Sequence, residues 1–69
     1  MMIKARDLQP GQVIRVEYGD DGNWQKFFVE KVQPFKNMVS VFVNNVDCNA
    51  IKADFAYRLN EEVEVVMQE

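Results

Sequence analysis

The sequence contains no histidine and only one cysteine, Cys48. Histidine is the commonest general base near neutral pH and a frequent metal ligand, so its absence leaves Cys48 without an activating partner. The chain also lacks a glycine-rich phosphate loop and any zinc-type spacing of ligands. These absences predict a protein that is not an enzyme and that binds no metal or cofactor. An internal disulfide is excluded because only one thiol is present.

Long apolar runs are missing as well. No stretch approaches the roughly 18 residues of a membrane span, and no basic leader precedes an apolar segment. With one cysteine, this pattern predicts a cytoplasmic protein. Three glycines, two prolines and 48% hydrophobic residues in 69 positions predict one small globular domain over residues 1–69. A chain this short buries only about 60% of its unfolded surface, so self-association is a reasonable expectation.

Apolar residues are densest over positions 24–46, and this stretch predicts a β-hairpin. Its arms, Trp24–Val32 and Met38–Val46, are rich in β-branched and aromatic residues, which favour strands. Between them, Pro34–Asn37 supplies a proline that cannot donate to a ladder and an asparagine that tolerates turn geometry. The alternation of the first arm changes phase at Glu30 and Lys31, which indicates a bulge or a sharp bend.

The two faces of this hairpin are both apolar. One face holds the candidate core residues Phe27, Val29, Val39, Val41 and Val43. The opposite face, which also receives Val32, holds four candidate partner-binding residues: Trp24, Phe28, Met38 and Phe42. Exposed faces of strands normally carry polar side chains, whereas aromatic residues and methionine are enriched at the centres of protein interfaces. The pattern therefore predicts a non-catalytic module that binds a protein partner, or itself, through the outer face of the hairpin.

The remainder of the chain also reads as short strands. Alternation or β-branched residues predict strands over 1–6, Val13–Tyr18, 51–60 and Val63–Met67, with a Pro10-Gly11 turn and a loop at 19–23. The loop offers oxygen ligands, but its spacing is not that of a calcium-binding loop. Five to six strands without an amphipathic helix must curl to bury one face. The expected fold is all-β, a small, partly open SH3-like barrel of five to six strands.

A family resemblance covers most of the chain. It rests on Leu8-Gln9-Pro10-Gly11, Phe28-Val29-Glu30-Lys31-Val32, Gln33-Pro34-Phe35-Lys36, Asn44-Asn45, Phe55 and Val63-Glu64. Together these segments resemble the N-terminal domain of elongation factor P, an SH3-like barrel related to KOW modules. The turn of that domain carries a lysine that reaches toward transfer RNA on the ribosome, and Lys36 stands at the matching position. The resemblance implies the same fold and an RNA-associated, translational role.

Nucleic-acid binding is therefore the alternative function. Its candidate phosphate contacts are Arg15, Lys26, Lys31 and Lys36, while Trp24 or Phe35 would stack on bases. Eleven acidic residues against eight basic ones give a net charge of −3, which opposes non-specific attraction to phosphates. We therefore place a protein partner, or a second copy of the chain, ahead of RNA.

Overall fold

A computed structural model describes residues 1–17 and 22–67 of the chain. Its elements are β1 (Met2–Lys4), a single 3-10 turn (Ala5–Asp7), β2 (Val13–Glu17), β3 (Trp24–Phe35), β4 (Met38–Asn45), β5 (Lys52–Arg58) and β6 (Glu62–Met67). Within these two ranges no α-helix occurs. The all-β fold predicted from the alternation is confirmed.

All six strands belong to one antiparallel sheet with the order β1-β6-β2-β3-β4-β5. The sheet does not close, because β1 and β5 are its two edges and do not pair with each other. It nevertheless curls. Arg6 N donates to Leu59 O at 3.1 Å, and Ala5 N donates to Glu61 O at 2.8 Å, so the segment after β1 meets the segment after β5. Curling allows a sheet without helices to cover its own apolar face.

The core lies inside this curl. Its fully buried members are mostly β-branched residues from the central strands, with one aromatic side chain: Ile14, Phe27, Val29, Val39, Val41 and Val43. Phe27 meets Phe55 edge to face, with ring centroids 5.3 Å apart and planes at 82°. The inward stripe predicted for the central hairpin is therefore the core of the domain.

The phase change in β3 is a β-bulge, as the sequence predicts. The pairing between β3 and β4 shifts between Val29 and Lys31, so that Val29 lies opposite Val43 and Val32 lies opposite Val41. The extra residue returns Val32 to the inner face, where it packs against the core. The sequence-based placement of Val32 on the outer face is wrong, because strict alternation was carried through the bulge.

The turn of the central hairpin is shorter than the sequence predicts. Only Lys36 and Asn37 form it, while Pro34 and Phe35 continue β3 and pair with Val39 and Met38. Proline is tolerated at position 34 because β2 pairs only with residues 24–28 of β3. The missing N–H of Pro34 therefore costs no ladder bond to β2. Lys36 is exposed at the hairpin tip, as predicted.

Lys36 has a φ of 56°, in the left-handed region that disfavours side chains with a Cβ atom. We expect Lys36→Gly to raise the free energy of unfolding by about 1 kcal/mol, because glycine removes this strain. Urea denaturation followed by circular dichroism measures the change. Asn37→Gly is the control and should be neutral or destabilising, because Asn37 is not among the residues with positive φ. Destabilisation by Lys36→Gly would contradict the strained turn.

The other sequence-based elements are found with shifted ends. Gly11 has a φ of 97°, and Gln12 N donates to Gln9 O at 3.3 Å, which closes the predicted Pro10-Gly11 turn. The first strand ends at Lys4 because the chain enters the 3-10 turn. Most of the acidic loop and the predicted end of the second strand, residues 18–21, lie outside the described residues.

Candidate binding face

The outer face is the surface of β2, β3 and β4 that points away from the core. All four candidate partner-binding residues lie on it, because each occupies the strand position opposite to the buried stripe. Trp24 is 49% exposed and Phe28 is 38% exposed, while Met38 and Phe42 are half-buried. The structure therefore places these four side chains on one side of the sheet and leaves part of each accessible.

The four side chains are spread along the two strands and do not form one compact patch. Phe28 lies opposite Asn44, two residues from Phe42 on β4, so Phe28 and Phe42 are diagonal neighbours about 7–8 Å apart. Trp24 is four residues from Phe28, and Met38 is four residues from Phe42, a rise of about 13 Å in each case. Phe28 and Phe42 are thus the centre of the outer face, with Trp24 and Met38 near its two ends.

Phe35 belongs to the same face, although sequence reasoning placed it in the turn. It pairs with Met38 at the end of the hairpin and is 62% exposed. The alternation of Lys31, Gln33 and Phe35 was the available signal. Pro34 predicts the end of the strand, but edge positions accept proline and β3 continues through it to Phe35.

A basic side chain lies over each of three aromatic rings on this face. Arg15 Cζ lies 4.6 Å from the Trp24 ring centroid, Lys31 Nζ lies 5.6 Å from that of Phe42, and Lys36 Nζ lies 5.4 Å from that of Phe35. These distances are within the range of cation–π attraction. The two sets of candidate residues, aromatic and basic, are therefore interleaved on a single surface.

Arg15 is held from two sides. Its guanidinium lies 3.7 Å from the Glu64 carboxylate on β6, in addition to its contact with Trp24. Lys26, the remaining basic candidate, is directly opposite Arg15 in the β2–β3 ladder and is exposed. Because Glu64 offsets the charge of Arg15 and Glu17 lies opposite Trp24, this end of the outer face carries charges of both signs.

A shallow pocket of about 230 Å³ opens beside Trp24. Its walls include apolar side chains and three carboxylates: Met2, Val16, Val63, Glu17, Glu62 and Glu64. Tyr57 also lines it, and the pKa of its phenol is raised by burial and, to a smaller extent, by the negative charge of Glu61. The phenol therefore stays neutral and can donate a hydrogen bond throughout the neutral pH range.

The described residues contain no group of three or more His, Cys, Asp or Glu side chains placed to hold a metal ion. Cys48 is exposed in the turn that follows β4. Across residues 1–17 and 22–67, the structure has no helix with the length and apolar character needed to span a membrane. Comparison of the chain with family models, with curated proteins and with solved structures found no match.

Proposed function

We propose that the chain is a non-catalytic binding module and that its outer face contacts a protein partner. The observation that carries this proposal is the exposure of Trp24 and Phe28 on the outer face of β3, where a solvated face would carry polar residues. Large aromatic side chains at such positions supply most of the binding energy of protein interfaces.

The apolar and charged residues of the outer face indicate what kind of protein surface it would bind. Apolar contacts centre on Phe28 and Phe42, and the basic residues Arg15, Lys26 and Lys31 lie around them. Asp54 lies opposite Phe42, and Glu30 accepts a hydrogen bond from Asn44, so a complementary surface would present an apolar centre with charges of both signs around it. Cations that already lie over aromatic rings are partly ordered, which reduces the entropy lost when they bind a carboxylate.

The test uses the double variant Phe28→Ser/Phe42→Ser as bait in a lysate of the organism that encodes the chain. We expect a protein captured by the natural chain to be lost with this variant, since truncation of two central aromatic residues typically weakens binding by about a hundredfold or more. Lys4→Ala, an exposed change on β1, is the control and should retain the partner. Equal capture by all three chains would overturn the proposal.

Single-stranded nucleic acid is the second candidate, and the three cation–aromatic pairs favour it specifically. Stacking platforms next to cations are typical of proteins that bind single strands without strong sequence preference. The resemblance to the elongation factor P domain points in the same direction and would give Lys36, exposed at the hairpin tip, a contact with RNA. The overall charge of −3 places this candidate second.

Fluorescence of Trp24, the single tryptophan, separates the two candidates. If nucleic acid binds, an oligonucleotide of about ten nucleotides should quench this fluorescence, and higher salt should abolish the effect because phosphate contacts release counterions. Lys26→Ala/Lys31→Ala should weaken such binding, while Lys4→Ala, on β1, should not. An unchanged emission spectrum would leave the protein partner as the function supported by this face.

A further inference from the structure

We propose that the open edge of β5 pairs with the same edge of a second copy, in an antiparallel register with Lys52 opposite Asp54. β5 is seven residues long and pairs only with β4, so it is the longer of the two sheet edges. An edge of this length presents unpaired backbone donors and acceptors that can accept another strand. The proposal concerns a different surface from the outer face.

The hydrogen bonds at the two ends of β5 show which residues face the open edge. Leu59 N donates to Asn37 O at 3.3 Å, and Asn45 N donates to Ile51 O at 2.9 Å. Bonding groups alternate along an antiparallel strand, so odd-numbered residues of β5 direct their amide and carbonyl groups to β4. The amide and carbonyl groups of Lys52, Asp54 and Ala56 therefore point to the open edge.

One end of the edge is already occupied. Arg58 N donates to Glu61 Oε1 at 3.1 Å, and Arg58 O accepts a bond from Glu61 N at 3.1 Å. The 3-10 turn after β1 contacts the same end, through the bond from Arg6 N to Leu59 O. The free part of the edge is consequently the segment 52–56, which limits the registers that a second strand can adopt.

Charge selects the partner and its register. With a two-fold axis at Ala53, Lys52 of each copy lies opposite Asp54 of the other, so two opposite-charge pairs form on the exposed face. An axis at Asp54 would instead place the two Asp54 carboxylates opposite each other. An axis at Phe55 would place Lys52 opposite Arg58, and both are cations. An axis at Ala56 would require the backbone groups of Arg58, which the Glu61 turn already uses.

The same register also covers an exposed apolar side chain. Ile51 precedes β5 and is 52% exposed. In the proposed pairing it lies opposite Phe55 of the second copy, whose ring is half-buried against the core. Self-complementary charge and apolar contacts at one register indicate a second copy of this chain rather than an unrelated strand. The contact is short, so we expect a dimer that depends on protein concentration.

Sedimentation equilibrium of the full chain from about 1 μM to about 1 mM tests the proposal. The natural chain should pass from monomer to dimer across this range. Asp54→Lys places two like-charge pairs at the contact and should raise the dissociation constant about tenfold or more. The double variant Lys52→Asp/Asp54→Lys restores both opposite-charge pairs and should recover an affinity within about threefold of the natural chain.

Two controls separate this contact from other effects. Lys52 also lies 3.7 Å from Glu30, but both side chains are largely exposed, so losing that ion pair should leave the monomer fold unchanged in circular dichroism spectra. Trp24→Ser should dimerise like the natural chain, because Trp24 lies on β3 before the residues that pair with β4 and is remote from β5. A chain that stays monomeric at every concentration, a dimer insensitive to Asp54→Lys, or a double variant that fails to recover would each overturn the proposal.

Discussion

Replacing Phe27 with alanine is expected to unfold most of the chain at room temperature. The Phe27 side chain is buried at the centre of the core and meets the Phe55 ring edge to face. Truncation of a buried phenylalanine typically costs about 3–5 kcal/mol, from lost burial and from the cavity that remains. A chain of this length has a total stability on the order of 3–10 kcal/mol, so the loss is most or all of it. Urea denaturation followed by far-UV circular dichroism measures the effect.

The neighbouring residue provides the matched control. Phe28 has the same side chain one position along β3, but it points to the outer face and is partly exposed. We expect Phe28→Ala to cost about 1 kcal/mol or less, since little cavity forms at a solvated surface. Phe27→Leu keeps most of the buried volume and should remain folded at a cost of about 1–1.5 kcal/mol, so the site can be measured even if the alanine variant does not fold. Similar losses for the Phe27→Ala and Phe28→Ala variants would mean that the two faces are assigned incorrectly.

Asn45→Ala should give the second largest loss of stability, about 2–3 kcal/mol. Asn45 is the buried polar residue at the end of β4. Its Oδ1 accepts bonds from the amides of Asp47 at 2.8 Å and Cys48 at 3.1 Å, and its Nδ2 donates to Gln25 Oε1 at 2.6 Å. This side chain closes the turn after β4 and ties it to β3, so its removal leaves three polar groups without these partners.

Asn44→Ala is the control for that change. Asn44 is adjacent to Asn45 and has the same side chain, but this side chain points outward and donates to the exposed Glu30 carboxylate. Its replacement should cost about 0.5 kcal/mol, because water can solvate the carboxylate that loses its donor. Thermal denaturation of the two variants, measured side by side, compares their losses of stability. If Asn44→Ala were as destabilising as Asn45→Ala, the buried network would not be what stabilises the turn.

Most secondary structure could be predicted from the sequence because alternation is a local signal. The stripe Val39, Val41 and Val43 has period two without interruption, and the structure buries all three. The bulge in β3 was visible as a change of phase at Glu30 and Lys31. Its consequence for Val32 was not, because the number of residues opposed across a bulge depends on the partner strand.

The candidate site could be predicted only in part. The sequence predicts strand positions for Trp24, Phe28, Met38 and Phe42 and for Arg15, Lys26 and Lys31, and a turn position for Lys36, but not which cation lies over which ring. The contact between Arg15 and Trp24 joins β2 to β3, and the contact between Lys31 and Phe42 joins β3 to β4. Such contacts depend on register between strands, which no single strand encodes.

By itself the sequence determined the class of fold, the inner and outer faces of the central hairpin and the position of its bulge, because side-chain alternation follows from strand geometry alone. Only the tertiary structure decided the strand order and the way the sheet curls without closing. It also decided that the cations lie over the aromatic rings and that β5 is an open edge. The alternating pattern of β5 is equally compatible with an edge and an interior position, because pairing is set by residues distant in the chain.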